Sequence, residues 1–310
     1  MNLEHLKTFH TVALKKNFSQ TAKTLHISQP SVSLQIRQLE EYLGVTLFKR
    51  TTKSVYLTPA GELLLESAEN ILKQVNDTKK SIEKLSQKTS GNLIIGASLT
   101  IGEYILPYLL AEFSRKYPNI KLELKFYNSQ QIIEKLNDKQ IHLGFIESMI
   151  SYPEFTQKAF LQDELVIIAS CDKSTLQGEN GYISTSKLFS LPFISREEGS
   201  GTRQVIEEKL QHNNLNPSKL NVILELENTE SIKSAVESGM GISIISRAAI
   251  QKEIRLNTLK PLRIVDINLT RSLYTIFKDY DLSLPGETFQ SFVVDYYRNE
   301  NSIPFSYDHI

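Results

Sequence analysis

The stretch that most constrains this 310-residue chain is Asn17–Gly44, NFSQTAKTLHISQPSVSLQIRQLEEYLG. It reads as two helices joined by a tight turn. Ala22 and Leu25 face inward from the first helix, the turn runs through His26-Ile27, and Ser28 is a natural N-cap. The second helix sets Val32, Ile36, Leu39 and Leu43 at spacings of 4, 3 and 4, which makes one apolar stripe. Its other face carries Gln29, Pro30, Ser31, Ser33, Leu34 and Arg37. Short and amide side chains at a helix start let the helix lie close to base edges. Gln can bond adenine bidentately, a Pro ring or Ser Cβ can touch a thymine methyl, and Ser can bond phosphate or base. The N-terminal amides also favour phosphate. These features predict a helix-turn-helix whose second helix enters DNA, with Ser19 and Gln20 of the first helix beside it. The competing reading is a plain helical hairpin in some other bundle.

The segment Leu47–Leu57, LFKRTTKSVYL, reads as a strand, a basic turn and a second strand. That is a wing with Lys49, Arg50 and Lys53 near its tip. The N-terminal region now resembles the DNA-binding domain of the LysR-type transcriptional regulators. The resemblance rests on Phe18-Ser19, Ala22, Leu25, Ser28-Gln29-Pro30-Ser31, Ser33, Ile36, Leu39-Glu40, Leu43-Gly44, Leu47-Phe48, Arg50, Leu57-Thr58 and Gly61. It implies that Gln29, Pro30, Ser31 and Ser33 face the major groove, and that Arg50 meets the backbone or the minor groove. The chain departs from the family pattern at Leu34, where a basic residue is common. That bears on affinity and target sequence, not on class.

Overall charge is zero, with 35 basic and 35 acidic residues. This hides an asymmetry. Residues 1–60 hold eight Lys or Arg against three Glu, a net of +5, so the remainder carries −5. A basic head on a mildly acidic body suits a protein that presents one end to a polyanion. Cys171 is the single cysteine, which excludes an intrachain disulfide framework and a thiolate metal cluster. It also points to a reducing compartment. His5, His10 and His26 match no metal-ligand spacing. The N-terminus lacks the apolar core of a signal peptide and no apolar run reaches spanning length. The expectation is a soluble, cytoplasmic protein with no cofactor, no metal and no membrane partner.

Thr58 and Pro59 open a long helix. Leu64, Ala68, Ile71, Val75, Thr78, Ile82 and Leu85 follow at alternating spacings of 4 and 3, a heptad seam. A seam this narrow predicts a coiled-coil partner and hence a homodimer. The alternative is packing on its own domain. Two paired recognition helices would read a two-fold symmetric site. A homotetramer follows only from the family resemblance. The helix is expected to fade into a polar hinge at Gln87–Gly91.

From Asn92 onward strand and helix patterns alternate, the mark of a mixed or parallel sheet with covering helices. One helix is expected over Ile101–Lys116 and strands at Leu165–Ala169, Val222–Leu226 and Ser272–Phe277, among others. The resemblance implies a two-subdomain, periplasmic-binding-protein-like effector domain. The predicted fold is therefore α/β with an N-terminal all-α winged helix-turn-helix and a long coiled-coil linker helix. Expected domains are 1–58, 59–90 and 91–310, the last split into subdomain I (91–162 and 267–300) and subdomain II (163–266).

The sharpest motif in the body is Ser195–Arg203, SREEGSGTR, which follows a strand and opens a helix. Gly199 and Gly201 let N–H groups converge, Ser200 and Thr202 add hydroxyls, and Arg203 could grip an oxyanion or carboxylate. The alternative is a glycine-rich turn with Arg203 paired to Glu197 or Glu207. It is no P-loop, since the spacing and the Lys-Ser/Thr ending are absent. Ser98 and Thr100 follow another strand, and the resemblance places them across a cleft from Thr202. Asn128-Ser129, Glu147 and Asn228 occupy further strand-to-helix ends; capping is the default for both Asn residues. Glu147 could bind an ammonium, which would suit an amino-acid-like effector. An oxyanion loop in this family, and a likeness to its sulfite-reductase-activator branch, hints at sulfate, O-acetylserine or a relative.

The expected function is a DNA-binding regulator answering to a small oxyanion, carboxylate or amino-acid derivative, with double-stranded promoter DNA as partner. Two alternatives stay open. One is a solute receptor or enzyme with an appended helix-turn-helix, although no catalytic Ser/His/Asp, Cys/His or metal set is present. The other is an architectural DNA binder with an inert body.

Overall fold

The computed structural model describes residues 1–50, 54–85, 89–148, 152, 154–172, 181–279 and 281–299, with side chains left out at 50, 80, 83–85 and 299. The chain divides into two compact units, one of residues 1–88 with 279–283 and one of the rest.

The first unit begins with α1 (Leu3–Lys15), α2 (Phe18–Thr24) and α3 (Gln29–Leu43). Each starts at a side-chain cap. Asn2, Asn17 and Ser28 accept from the amides of Glu4, Gln20 and Ser31, satisfying donors that the first helical turn leaves open. His26, with φ 53°, turns the chain between α2 and α3. Leu6, Phe9 and Val12 of α1, Ala22 of α2, and Val32, Ile36 and Leu39 of α3 form one buried core. Each large side chain there contributes about 1.5–3 kcal/mol.

The wing is β1 (Phe48–Arg50) paired antiparallel with β2 (Val55–Leu57). Glu40 ties it to α3, its Oε1 accepting from the amides of Leu47 at 2.7 Å and Phe48 at 3.3 Å. Next comes α4 (Pro59–Leu85), whose Gly61 amide donates to Thr58 Oγ1 at 3.0 Å. Gly61 is required by close approach, because a Cβ there would lie 2.3 Å from the Leu47 carbonyl oxygen. The heptad seam of α4 divides in two. Ala68 is buried in the core of the head, joined by Leu72 from outside the seam, and Leu64 and Ile71 pack against it. Thr78 and Ile82 are exposed. The N-terminal half of the seam therefore packs on its own domain, and only the C-terminal half is left for a partner. Leu85 lies beyond the described side chains, and Gln87 and Lys88 of the expected hinge lie outside the described residues.

The second unit contains β3 (Gly91–Ala97), α5 (Leu99–Tyr104), α6 (Leu106–Lys116), β4 (Ile120–Phe126), α7 (Ser129–Asn137) and β5 (Leu143–Ile146). The long strand β6 (Thr156–Ser170) follows. After it come β7 (Tyr182–Ile183), α8 (Thr185–Ser190), β8 (Phe193–Arg196), α9 (Gly201–His212), β9 (Val222–Leu226), α10 (Thr229–Glu237) and β10 (Ser243–Ser246). The unit ends with α11 (Gln251–Leu256), β11 (Leu259–Ile264), β12 (Thr270–Phe277) and α12 (Leu284–Asn299). The main sheet runs β4-β3-β5-β12-β6-β11-β7, with β10 also on β6, and β8 pairs with β9.

β6 is the pivot. Its first part, up to Glu164, pairs with β12, and from Leu165 it pairs with β10 and β11. One strand thus serves both subdomains, and the chain returns between β11 and β12. This is the two-subdomain, periplasmic-binding-protein-like architecture. The single helix expected over Ile101–Lys116 is two. Ile105, at φ −113° and ψ −56°, separates α5 from α6. Pro107 causes the break, because it lacks an N–H and sits comfortably only in a first turn.

Candidate DNA-reading face and effector cleft

In the head, Gln29 and Pro30 are exposed at the start of α3, and Ser31 and Ser33 are half-buried beside them. The Gln29 amide nitrogen donates to Ser33 Oγ at 3.0 Å, which orients the amide. Ser19 and Gln20 are exposed at the start of α2, as are Leu34, Arg37 and Lys49. Arg37 Nε donates to Glu41 at 2.8 Å across one turn. Such an exposed pair is worth a few tenths of a kcal/mol and is readily exchanged for a phosphate. Lys53 lies outside the described residues, and of Arg50 the backbone alone is described.

The effector domain gathers its polar residues where strands end and helices begin. Ser98 follows β3 and Glu147 follows β5, both in subdomain I. Ser200 and Thr202 open α9 in subdomain II. Ser98 and Ser200 are N-cap residues by position, yet neither side chain caps its helix. Ser98 Oγ instead donates to Glu147 Oε1 at 2.9 Å. Thr202 Oγ1 donates to Glu147 Oε2 at 2.5 Å, and Thr100 supplies a further hydroxyl. Arg271 of β12 completes the cluster. Its Nη1 donates to Glu147 Oε2 and to Thr202 Oγ1, both at 3.1 Å, and its Nε to Asp163 Oδ2 at 2.8 Å. Asp163 of β6 also accepts from Ser246 at 2.7 Å. Glu147, Asp163, Thr202 and Arg271 are all buried.

Burial pushes the Glu147 carboxyl up, but Arg271, Arg196 and the hydroxyls of Thr202 and Thr100 together outweigh it and hold the group down at about 2. Asp163 goes the other way. Burial raises it more than Arg271 and Ser246 lower it, and the Glu147 charge adds to the rise. Two carboxylates sharing one guanidinium split in this manner.

The backbone of the glycine loop passes close to α7. A Cβ on Gly201 would lie 2.5 Å from Ser129 Oγ and 3.0 Å from Glu147 Cβ. Gly199, at φ +84°, adopts a left-handed conformation, and a Cβ there would meet the Asn128 amide at 3.2 Å. The starts of α7 and α9 therefore face one another across the cleft. Three buried polar atoms here have no hydrogen-bond partner among the described residues: Ser129 Oγ, Ser200 Oγ and Arg271 Nη2.

Several expected residues do not join this cluster. Arg203 turns away, bonding Glu207 at 2.9 Å, Glu225 at 2.8 Å and the Arg196 carbonyl at 3.1 Å. It lines a separate groove of about 420 Å³ with Ser195 and Arg196. Of the two readings of Arg203, the structure contains the pairing with Glu207, to which Glu225 adds a second carboxylate. Ser195 Oγ donates to the next carbonyl at 3.1 Å. Asn128 and Asn228 cap α7 and α10. A larger cavity of about 610 Å³, lined by Tyr104, Glu230, Lys233 and Glu253 among others, includes none of the cluster. Sequence reasoning missed Arg271 and Asp163, while it places Ser129 with Asn128 at a strand-to-helix end. Arg271 is the one charged residue of β12, but Asp163 sits beside Glu164 in β6 and nothing local marks the pair.

Residues 3–62 match the bacterial regulatory helix-turn-helix protein of the lysR family, and residues 86–296 match the LysR substrate binding domain. The chain belongs to the LysR-type transcriptional regulators, a family of regulators and not of enzymes. A probable RuBisCO transcriptional regulator of Thalassiosira pseudonana is 35% identical over 279 residues, covering 88% of this chain and 90% of the relative. The HTH-type transcriptional regulator CysL of Bacillus subtilis is 35% identical over 273 residues, with the same coverage of 88% and 90%. Among solved structures, the CcmR regulatory domain of Synechocystis PCC6803 in complex with 2-PG is 30% identical with a TM-score of 0.61. It spans 68% of this chain and 99% of its own. No helix among the described residues is long and apolar enough to cross a membrane.

Proposed function

We propose that this regulator takes one small acid, an oxyanion or a carboxylate, in the cleft between its subdomains, and that the bound acid alters how paired heads read promoter DNA. The observation that carries the reading is the set of buried donors without partners, Ser129 Oγ, Ser200 Oγ and Arg271 Nη2. A buried donor left unpaired costs about 1–3 kcal/mol, and an anion would satisfy all three. The facing N-termini of α7 and α9 favour the same charge. The complex of the CcmR regulatory domain with 2-PG supports a compact ligand. The name CysL and the serine-rich junctions keep a sulfur- or amino-acid-related acid in view. In the head, Gln29, Pro30, Ser31 and Ser33 would meet base edges, with Ser19, Gln20, Arg37, Lys49, Arg50 and Lys53 on the backbone. The exposed end of α4 would pair two copies, and a tetramer would need a second interface.

The test is thermal unfolding followed by circular dichroism, since the chain has no tryptophan. The panel is 2-PG, sulfate, thiosulfate and O-acetylserine. A ligand at about 100 times its Kd stabilises the folded state by about 2.7 kcal/mol. A shift from one of these, lost in the Ser129→Ala/Ser200→Ala double variant, is the expected result. No shift across the panel would sink the reading of the cleft as a small-acid site.

A further inference from the structure

Glu147 already makes, from within the protein, the contacts an acid effector would seek. Its two oxygens take Ser98 Oγ, Thr202 Oγ1 and Arg271 Nη1, with Thr100 as a further donor. Ser98 and Thr100 belong to subdomain I, Thr202 to subdomain II, and Arg271 to the strand that returns between them. The carboxylate therefore bridges the cleft. Gly201 makes this approach possible, because a Cβ there would lie 3.0 Å from Glu147 Cβ and 3.4 Å from its Oε2.

The same carboxylate occupies donors that a bound acid would need. Asp163 also pairs with Arg271, its Oδ2 lying 2.8 Å from Nε. Burying a second carboxylate beside the same guanidinium adds a desolvation cost, which Arg271, Arg196 and the hydroxyls offset at Glu147. Its charge and its hydrogen bonds therefore compete directly with those of an anionic ligand at the same donors.

We infer that Glu147 is the cleft's resident acid, a specificity-determining residue that holds the effector's donors and straps the two subdomains together until a better acid displaces it. The inference rests on the proposed reading of the cleft as an acid-effector site. In this account a weak or singly bonded acid fails to displace the strap. An acid that also engages Ser129 Oγ, Ser200 Oγ and Arg271 Nη2 succeeds, because Glu147 leaves those three atoms unpaired.

The test uses the full chain with Cys171→Ser, nitroxide labels on Glu134→Cys of α7 and Gln211→Cys of α9, and pulsed electron paramagnetic resonance. Glu147→Gln keeps the shape and leaves Arg271 paired with Asp163. Thr202→Val cuts the strap from the other side without changing charge, and serves if the first variant fails to fold. Without added anion, both variants should show a longer or broader inter-label distance than the parent. By calorimetry, Glu147→Gln should bind 2-PG or sulfate about tenfold more tightly than the parent. Unchanged distances in both variants, with parent-like anion affinity, would overturn the strap and leave the effector reading standing. Longer distances with neither anion bound by either protein would support the strap and sink the acid-effector reading. Weaker anion binding by Glu147→Gln would make Glu147 a ligand contact and overturn the inference.

Discussion

At the scale of single residues, exposure and pairing decide which side chains are available. Gln29 is exposed, and its amide is oriented by Ser33 at 3.0 Å. Replacing it with alanine should relax preference at one base pair and cost about 1–3 kcal/mol there. Competition binding with single-base variants checks this, and a footprint and affinity equal to the parent would contradict it. Arg203 is already held by Glu207 and Glu225. Arg203→Ala should leave any effector-induced shift in Tm intact while lowering stability by less than about 1 kcal/mol, since both pairs are partly exposed. Loss of the shift would return Arg203 to the site. The strand-to-helix junctions pointed to Ser98, Thr100, Glu147 and Thr202, which the structure brings together, and to Ser200, whose buried Oγ has no partner among the described residues. Arg271 was not legible, because its partner Asp163 is 108 positions away and no local pattern reports such a pairing.

At the scale of elements, caps and breakers explain most of what could be read. Ser28 caps α3 through the Ser31 amide at 3.2 Å, and Ser28→Ala should cost about 0.5–2 kcal/mol by chemical denaturation. The helices of the head follow from 3.6-residue periodicity and these caps. The break at Ile105 was missed because apolar residues continue through it, while Pro107 lacks the donor that a continuous helix would need. The full length of β6 was also missed. Its first part, TQKAFLQD, carries no steady alternation, and its neighbours β12, β10 and β11 supply the ladder instead. The heptad seam of α4 was legible as a pattern, but its spacing could not say which half meets the head. Ile82 is 62% exposed on the free half. Ile82→Lys should weaken self-association, and sedimentation velocity would show lighter species. An unchanged assembly would remove that half of α4 from the interface.

At the scale of the molecule, charge couples to both stability and function. The Glu147 carboxyl sits at about 2, below its ordinary 4.5. Its charged form is favoured by folding, so its contribution is present above about pH 4.5 and is lost as pH falls towards 2. The stability difference between the parent and Glu147→Gln should shrink over that window; a difference independent of pH would contradict the ionised strap. The basic head implies DNA affinity that falls steeply with salt. The central claim is a sequence-reading dimer whose grip on DNA answers to a small acid. The measurement that tests it most directly is selection of bound duplexes from a random pool by the full chain, with and without the acid that raises its Tm. The expected result is an enriched inverted repeat whose affinity changes about 5- to 150-fold with the acid, a coupling of about 1–3 kcal/mol. No enriched sequence, or an enriched one bound identically with and without the acid, would contradict it.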